Sequence, residues 1–211
     1  KPQYLPYDEK QPTSPINPYG QTKLVVDNLI KDWVYVNEKR RGSSLRYFNP
    51  VGAHPSGQIG EDPHGAPNNL MPFISQIASG RHEYLQIFGN DYDTKDGTGA
   101  RDFIHVVDLA NAHIKTLNCQ ENLNPYEVLN IGNGKAITVL ELIETFQYAS
   151  GVNIKYEFSQ RRNGDLPTFW ANSSLACEKL AWKPQLTIDQ MCKDTWLWQK
   201  NNPNGYDVSS Y

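Results

Sequence analysis

Cysteine is scarce in this sequence, and what there is suits neither disulfides nor zinc. The 211 residues contain three cysteines, Cys119, Cys177 and Cys192, which are far apart and odd in number. This spacing argues against a disulfide framework and against a zinc site. The five histidines form no H-x-x-x-H pattern, and we read His105 and His113 as structural. We therefore expect no bound metal, and a reducing, cytoplasmic setting.

Long hydrophobic runs and an excess of one charge are also missing. The net charge is −3 and the pI about 6.0, so the composition gives no electrostatic case for binding nucleic acid or an anionic membrane. No segment approaches the roughly 20 apolar residues that span a bilayer, and no signal peptide is visible. With 38% hydrophobic and 20% charged residues, the composition fits a soluble globular protein rather than a disordered one. We therefore expect neither nucleic acid nor a membrane as a partner.

A third absence concerns nucleotide binding. No strand–turn–helix with the pattern G-x-G-x-x-G occurs anywhere in the sequence. The chain starts at Lys1 and enters a proline-rich loop at once. We therefore expect it to be the later part of a longer protein, with a nucleotide-binding half upstream.

Helix and strand patterns alternate along the chain, which favours an α/β fold with a parallel sheet. The first predicted helix runs from Pro18 to about Glu38 and has an apolar face of Leu24, Val25, Leu29, Ile30 and Trp33, with the basic run 39–41 at its end. The other predicted helices cover about 68–79, 107–117, 139–150, 173–180 and 187–200. Thr138 with Glu141 makes a capping box at the start of the helix at 139–150. Predicted strands are 44–48, ended by Asn49-Pro50, and then 85–89, 126–131 and 154–158. Residues 50–68 read as a long loop, and 90–99 as a turn without the spacing of a calcium loop.

The stretch Asn17-Pro18-Tyr19-Gly20-Gln21-Thr22-Lys23 opens the first helix. Asn17 is a good N-cap, and Pro18 suits the first helical position. Tyr19 and Lys23 lie one turn apart on the same face. An ammonium near a phenol lowers the pKa of the phenol. We therefore expect Tyr19 to serve as a base for a substrate hydroxyl, with Lys23 as its partner.

Six motifs in a fixed order carry a family resemblance. After Tyr19 and Lys23 come Arg46-Tyr47-Phe48-Asn49-Pro50, Pro67-Asn68-Asn69-Leu70-Met71-Pro72, Phe88-Gly89-Asn90-Asp91-Tyr92, Arg101-Asp102-Phe103-Ile104-His105-Val106-Val107-Asp108 and Arg161-Arg162-Asn163-Gly164-Asp165. Together they closely resemble the UDP-glucose 4-epimerases, a family of extended short-chain dehydrogenase/reductases. The resemblance covers about residues 2 to 206.

The resemblance implies an α/β fold, made of the remainder of a Rossmann-type parallel-sheet domain and a smaller substrate-binding domain. Residues 1–50 would be the end of the NAD-binding domain. Residues 51–211 would mainly bind the nucleotide sugar, with some segments returning to the first domain. In this family the glycine-rich NAD turn and the catalytic Ser/Thr precede the point where this chain begins. The resemblance also implies a homodimer for the complete enzyme.

The resemblance further implies roles for single residues. Tyr19 would take the proton of the sugar 4-hydroxyl, and Lys23 would hold the nicotinamide ribose. Tyr47 and Phe48 would line the joint pocket of NAD and sugar. The residues expected to bind the UDP-sugar are Asn49, Asn69, Leu70, Phe88, Arg101, Arg162, Asp165 and Phe169. NAD is the implied cofactor.

Chemistry fits several of these roles. Arg101 and Arg162 offer the donors that a diphosphate needs, and Asp165 can accept hydrogen bonds from ribose hydroxyls. Asn49 and Asn69 can both donate and accept. Phe88 and its backbone would lie beside the uracil. A large aromatic ring at Phe169 resembles enzymes restricted to UDP-glucose and UDP-galactose.

Three alternatives stay open at this stage. The chain could come from a nucleotide-sugar 4,6-dehydratase or from a UDP-glucuronate decarboxylase, which share Tyr-x-x-x-Lys. It could also be an inactive truncated product that binds a nucleotide sugar or a partner. Asn68-Asn69-Leu70-Met71-Pro72 and Gly52-Ala53-His54-Pro55-Ser56-Gly57 favour the epimerases over the dehydratases.

Overall fold

A computed structural model describes residues 2–65 and 67–206. Its helices are α1 (Pro18–Tyr35), α2 (Leu70–Ala78), α3 (Val106–Cys119), α4 (Val139–Ser150), α5 (Ser174–Leu180) and α6 (Ile188–Asn201). Its strands are β1 (Gly42–Tyr47), β2 (Asn49–Val51), β3 (Leu85–Phe88), β4 (Ala100–His105), β5 (Tyr126–Ile131), β6 (Ala136–Thr138), β7 (Tyr156–Ser159) and β8 (Thr168–Phe169). The predicted α/β class is confirmed.

Most strand pairs are parallel. β1 pairs with β5, β2 with β4, β3 with β7, and β8 with β4, all in parallel, whereas β6 runs antiparallel to β4. The helices between the strands provide the crossovers that parallel pairing requires. The carboxyl ends of parallel strands are where α/β proteins place their ligands.

The structure corrects several predicted boundaries. α1 ends at Tyr35, with Val36 as C-cap, so the basic run 39–41 lies beyond the helix rather than at its last turn. Asn49-Pro50 does not end strand structure, because Asn49–Val51 forms β2 beside β4. A proline is compatible with this position because β2 has a paired strand on one side only. The six-residue strand β4 and the short strands β6 and β8 were not predicted.

The buried apolar side chains form two separate clusters. One packs β2, β3 and β4 against α2, α4 and α6, and is centred on Ile74, Phe103, Leu142, Phe146 and Met191. The other packs β4 and β5 against α3 and α5. Its fully buried members include Ile104, Leu129, Ile131, Ala176 and Leu180. β4 contributes to both, since Phe103 and Ile104 point to opposite faces of the strand.

Helix α1 is the least buried helix of the fold. Val34 is its one buried residue, and this residue was not on the apolar face that the periodicity predicted. Of that predicted face, Val25, Leu29 and Trp33 have relative exposures of 47%, 62% and 51%. The predicted apolar face is therefore largely exposed in the described chain.

Two checks on ligands and membranes concern residues 2–65 and 67–206 alone. In that part of the chain no cluster of three or more His, Cys, Asp or Glu side chains has the arrangement of a metal site. No helix there combines the length and the hydropathy that crossing a bilayer demands.

Candidate functional site

A cleft of about 630 Å³ lies between α2, β3, β4 and the loop before β8. Seven of the eight residues expected to bind a UDP-sugar line it, namely Asn49, Asn69, Leu70, Phe88, Arg101, Arg162 and Asp165. These residues come from five separate places in the sequence. Phe169 does not line the cleft but touches a residue that does.

Arg101 is held rigidly at one wall of the cleft. Its Nη1 donates to the backbone oxygens of Ala100 and Leu166, both at 2.9 Å. Its guanidinium carbon lies 4.7 Å from the centre of the Phe169 ring, and its Nη2 lies 3.9 Å from Asp165 Oδ1. Burial lowers the pKa of Arg101, and the nearby Asp165 charge partly opposes this. An arginine stays protonated in proteins, so the cleft wall carries a fixed positive charge.

Arg161 and Arg162 are adjacent in the sequence, but their side chains contact different parts of the structure. The Arg162 guanidinium carbon lies 3.8 Å from the centre of the Phe88 ring, at the cleft. Arg161 instead donates from Nε to Asp91 Oδ1 at 2.7 Å and stacks on Tyr92. Arg162 therefore adds a second cation to the cleft, while Arg161 ties down the neighbouring loop.

The first residues of α2 form another wall. Asn69 is the N-cap of α2, but its side chain caps no backbone N–H. Its Nδ2 donates to Glu61 Oε1 at 3.1 Å instead. The first-turn N–H groups of a helix attract anions. Asn49 Oδ1 is buried and lacks a hydrogen-bond partner among the described residues. These groups are available to a ligand with acceptor and donor atoms.

Strand β3 pairs with β7 on one side, and among the described residues its other backbone edge has no partner strand and is free towards the cleft. Leu85 N donates to Lys155 O at 2.9 Å, and Gly89 N donates to Ser159 O at 2.8 Å. Because backbone groups alternate in direction along a strand, the N–H and C=O of Gln86 and Phe88 face away from β7. Both residues line the cleft. This edge can bind a flat heterocycle through main-chain hydrogen bonds.

The expected catalytic and cofactor residues lie outside this cleft. Tyr19 is on α1 with 71% relative exposure, and Lys23 Nζ is 5.1 Å from the centre of its ring. Tyr47 is half exposed and lies 5.9 Å from the His113 ring. Phe48 lies 5.9 Å from the Phe169 ring and so connects β1 to the Arg101 wall.

The two histidines that we read as structural, His105 and His113, make hydrogen bonds inside the fold. His105 Nδ1 accepts from Val107 N and caps α3, and its Nε2 lies 3.0 Å from Asp194 Oδ2. His113 Nδ1 bonds the Leu109 backbone oxygen. These three contacts lie within α3 and its N-cap or join that N-cap to α6, and neither histidine lines the cleft.

Sequence reasoning missed several cleft residues. Gln86, Phe103, Tyr92 and His82 line the cleft, but none was assigned a role. Gln86 had a usable signal, because it shares its strand edge with Phe88. No sequence pattern indicated His82, because its position in the cleft depends on stacking against Phe73, with 4.7 Å between the two ring centres.

Comparison with known proteins agrees with these motifs. The profile of the family described as GDP-mannose 4,6 dehydratase matches residues 1–195. A UDP-glucose 4-epimerase of Homo sapiens is 50% identical over 210 residues, which is 99% of this chain and 60% of that protein. One of Bacillus subtilis is 47% identical over 205 residues, or 97% of this chain and 60% of that protein.

Solved structures give the same picture. A UDP-glucose 4-epimerase from Stenotrophomonas maltophila with bound NAD and formylated UDP-arabinopyranose is 44% identical, with a TM-score of 0.92 over 95% of this chain and 60% of that one. A UDP-glucose 4-epimerase from Bifidobacterium longum in complex with NAD+ and UDP is 43% identical, with a TM-score of 0.91 over 97% and 61%. The chain thus spans about 60% of the length of these relatives.

Proposed function

The chain belongs to the family described as GDP-mannose 4,6 dehydratase, and we propose that the protein containing it interconverts UDP-glucose and UDP-galactose with retained NAD. One observation carries the proposal: the cleft gathers two arginines, a carboxylate, a helix N-terminus and a free strand edge. This set matches the chemical parts of a UDP-sugar. The epimerases that are about 50% identical support the choice of reaction.

Substrate binding follows from the lining. Arg101 and Arg162 pair with the diphosphate, because guanidinium groups bind phosphate oxygens with two donors at once. The N-terminus of α2, at Asn69 and Leu70, adds backbone donors. Asp165 accepts from the ribose hydroxyls. The free edge of β3 at Phe88 hydrogen-bonds the uracil, and Asn49 binds a phosphate or sugar hydroxyl.

The residues expected to hold NAD suit that group. Tyr19 and Lys23 present a hydroxyl and an ammonium on one exposed face of α1, and ribose hydroxyls can accept from both. Tyr47 ends β1, and Phe48 follows it, at the carboxyl end of a parallel strand where α/β proteins bind dinucleotides. When bound, NAD would supply a hydride acceptor for C4 of the sugar and a hydride donor for the opposite face of that carbon.

The chain's own residues handle the proton and the substrate. The Tyr19 side chain, as the phenolate, takes the proton of the 4-hydroxyl as C4 is oxidised, becomes the phenol, and returns the proton when C4 is reduced. The Lys23 ammonium places positive charge near the phenolate that acts as the base. The cleft residues keep the UDP part fixed while the 4-keto sugar turns over. Oxidation and reduction cancel, so the reaction is an isomerisation.

The domain division is part of the proposal. Residues 1–50 complete an NAD-binding domain, and 51–211 mainly form the nucleotide-sugar domain, with segments returning to the first. The two apolar clusters support this division, because β5, α3 and α5 pack around one cluster while β3, α2 and α4 pack around the other. The three free cysteines support a reducing, cytoplasmic setting, and the exposed apolar side of α1 supports a homodimer.

Product analysis of the purified protein with UDP-galactose tests the proposal. We expect UDP-glucose of unchanged mass. Tyr19→Phe should lower kcat by at least about 100-fold, the low end of general-base effects, with UDP affinity retained. The matched control is Tyr148→Phe, which removes an exposed hydroxyl on α4 and should leave kcat unchanged. Full turnover by Tyr19→Phe would refute the assigned base.

A second candidate function is supported by the description of the family itself, since the matched profile is named for a 4,6-dehydratase. Dehydration would release a product lighter by one water, and decarboxylation would require a UDP-glucuronate substrate. Mass analysis of the products from UDP-galactose and, separately, from UDP-glucuronate therefore separates the three reactions. UDP binding without any turnover would support the reading of an inactive product.

A further inference from the structure

We infer that the ion pair between Asp27 and Arg46 is a positioning device that sets α1, and with it Tyr19 and Lys23, against the strand that leads into the substrate cleft. The inference deepens the proposed function and rests on it for the roles of Tyr19 and Lys23. Asp27 and Arg46 themselves are not among the residues that line the cleft.

The pair joins two elements directly. Arg46 donates from Nη2 and Nε to the same Asp27 oxygen, Oδ2, at 2.6 and 3.0 Å. The two side chains have relative exposures of 31% and 19%, so the pair is partly shielded from solvent. Two charge-assisted bonds from a planar guanidinium fix direction as well as distance.

The position of Asp27 on α1 explains how the ion pair can orient Tyr19 and Lys23. Tyr19, Lys23 and Asp27 follow each other at intervals of four residues and lie along one strip of the helix surface. The ion pair at Asp27 prevents α1 from rotating about its own axis. It therefore fixes the direction in which Tyr19 and Lys23 point. Arg46 is followed at once by Tyr47, Phe48 and Asn49, the expected cofactor and substrate residues.

The remaining attachments of α1 to β1 and its flanks act further along the helix. A Cβ on Gly42 would lie 2.7 Å from Ile30 Cγ2 and 2.9 Å from Val34 Cγ2, so the chain is in close contact there. Arg40 donates to the Trp33 oxygen at 2.9 Å. In the described part of the chain, Asp27–Arg46 is the one ion pair that α1 makes.

In the described chain, packing of buried side chains does little to hold the N-terminal part of α1 in place. Among the described residues Val34 is the one buried residue of α1, and it lies about four turns beyond Tyr19. A helix held mainly at its far end can shift at its near end for little free energy. Displacing a catalytic group by about 1 Å can lower a rate about 100-fold.

The test uses the natural protein that contains these residues, with Asp27→Asn, Arg46→Met and Arg46→Lys. With UDP-galactose, we expect kcat to fall about 10- to 100-fold in the first two variants, with KM and the calorimetric dissociation constant of UDP within about twofold of wild type. Arg46→Lys should recover part of kcat, because it restores the charge. The matched control is the exposed pair Asp189–Lys193 on α6, and Lys193→Met should change neither value.

A second measurement stays informative whatever the reaction proves to be. Amide hydrogen exchange of residues 18–27 should accelerate in Asp27→Asn relative to wild type, while exchange in α4 and α6 stays the same. If kcat and this exchange both stay at wild-type values, the inference is overturned. If the wild-type protein binds UDP but shows no epimerisation, the proposed function fails, and the exchange result still decides whether the pair positions α1. If UDP affinity falls together with kcat, the pair has a general structural role and the inference is wrong.

Discussion

The Asp102 side chain connects strand β4, which carries Arg101, to the segment that follows Phe169. It is fully buried, and its carboxylate accepts from Asn133 N at 2.8 Å, Gly134 N at 2.9 Å and Ala171 N at 3.0 Å. Burial raises the pKa of Asp102, and the three backbone donors oppose that rise. The same residue follows Arg101 and holds the segment just after Phe169. The Arg101–Phe169 contact at the cleft therefore rests on a buried carboxylate.

Phe169 carries the prediction about substrate range at the residue scale. Its ring lies against Arg101, 5.9 Å from Phe48 and 6.3 Å from Tyr7, so Phe169→Cys should leave space beside the Arg101 wall. We expect the ratio of kcat/KM for UDP-N-acetylglucosamine to that for UDP-galactose to rise at least about tenfold, since filling a pocket discriminates by roughly 10- to 200-fold.

The control for Phe169 is another phenylalanine that does not contact Arg101. Phe158 on β7 has 47% relative exposure and lies 5.7 Å from Tyr156, and Phe158→Cys should not change the substrate ratio. Efficient turnover of the acetylated sugar by the wild-type protein would contradict the assigned role of Phe169.

At the scale of the element, α4 illustrates a helix that the sequence specifies locally. Thr138 Oγ1 accepts from Glu141 N at 3.1 Å, and Glu141 Oε2 accepts from Thr138 N at 3.0 Å. These reciprocal bonds are the capping box that the sequence predicted. The helix ends at Gly151, whose φ of 71° lies in the left-handed region. Such end signals are readable because they depend on residues three or four positions apart.

Removing the box should measurably destabilise the chain. Thr138→Ala should lower the free energy of unfolding by about 1 kcal/mol, with a range of about 0.5–2. Urea denaturation measures this loss of stability, and we expect the m-value to stay unchanged. Thr145→Ala in the same helix is the control, because the Thr145 hydroxyl only bonds the Glu141 oxygen within the helix. A loss at Thr145 equal to that at Thr138 would refute the special role of the cap.

Helix α1 shows the opposite behaviour. Its start was predictable, because Asn17 Oδ1 accepts from Gly20 N at 2.7 Å and Pro18 follows the cap. Its burial was not, because periodicity identifies an apolar face without saying what covers it. Val25, Leu29 and Trp33 remain exposed in the described chain. Attachment through Asp27 and Arg46 joins residues 19 positions apart, which no local pattern reveals.

At the scale of the whole molecule, the cleft lies where the first apolar cluster meets the loop 161–165. Its lining comes from α2, β3, β4 and that loop, so a ligand that spans the cleft ties distant segments together. Ligands that bind only the folded state stabilise it in proportion to the logarithm of their excess over Kd. Binding should therefore appear as thermal stabilisation of the entire chain.

UDP should raise the midpoint of thermal unfolding. At a hundredfold excess over Kd the gain is about 2.7 kcal/mol, which corresponds to a rise in Tm of about 5 °C or more for a chain of this size. Arg162→Met should abolish most of this rise. The neighbouring Arg161→Met is the matched control, because Arg161 pairs with Asp91 away from the cleft. An equal loss in both variants would contradict the assignment of Arg162 to the diphosphate.

The sequence by itself determined those features that depend on short separations. The helix caps at Asn17 and Thr138, the strand at 126–131 and the α/β alternation follow from local hydrogen bonding and periodicity, and the structure confirms them. The ordered motifs also indicated the residues that line the cleft. That inference came from a family resemblance, since nothing local links Asn69 to Arg162.

Only the tertiary structure decided how these residues meet. β2 at Asn49–Val51 forms because β4 is there to pair with it, and Pro50 alone predicted a break. The free edge of β3 exists because β7 pairs on its other side. The separation of Tyr19 from the cleft, the Arg101–Phe169 contact and the Asp27–Arg46 pair all depend on long-range packing. Such packing minimises exposed apolar surface and buried unpaired polar groups over the whole chain at once, so it leaves no local signature in the sequence.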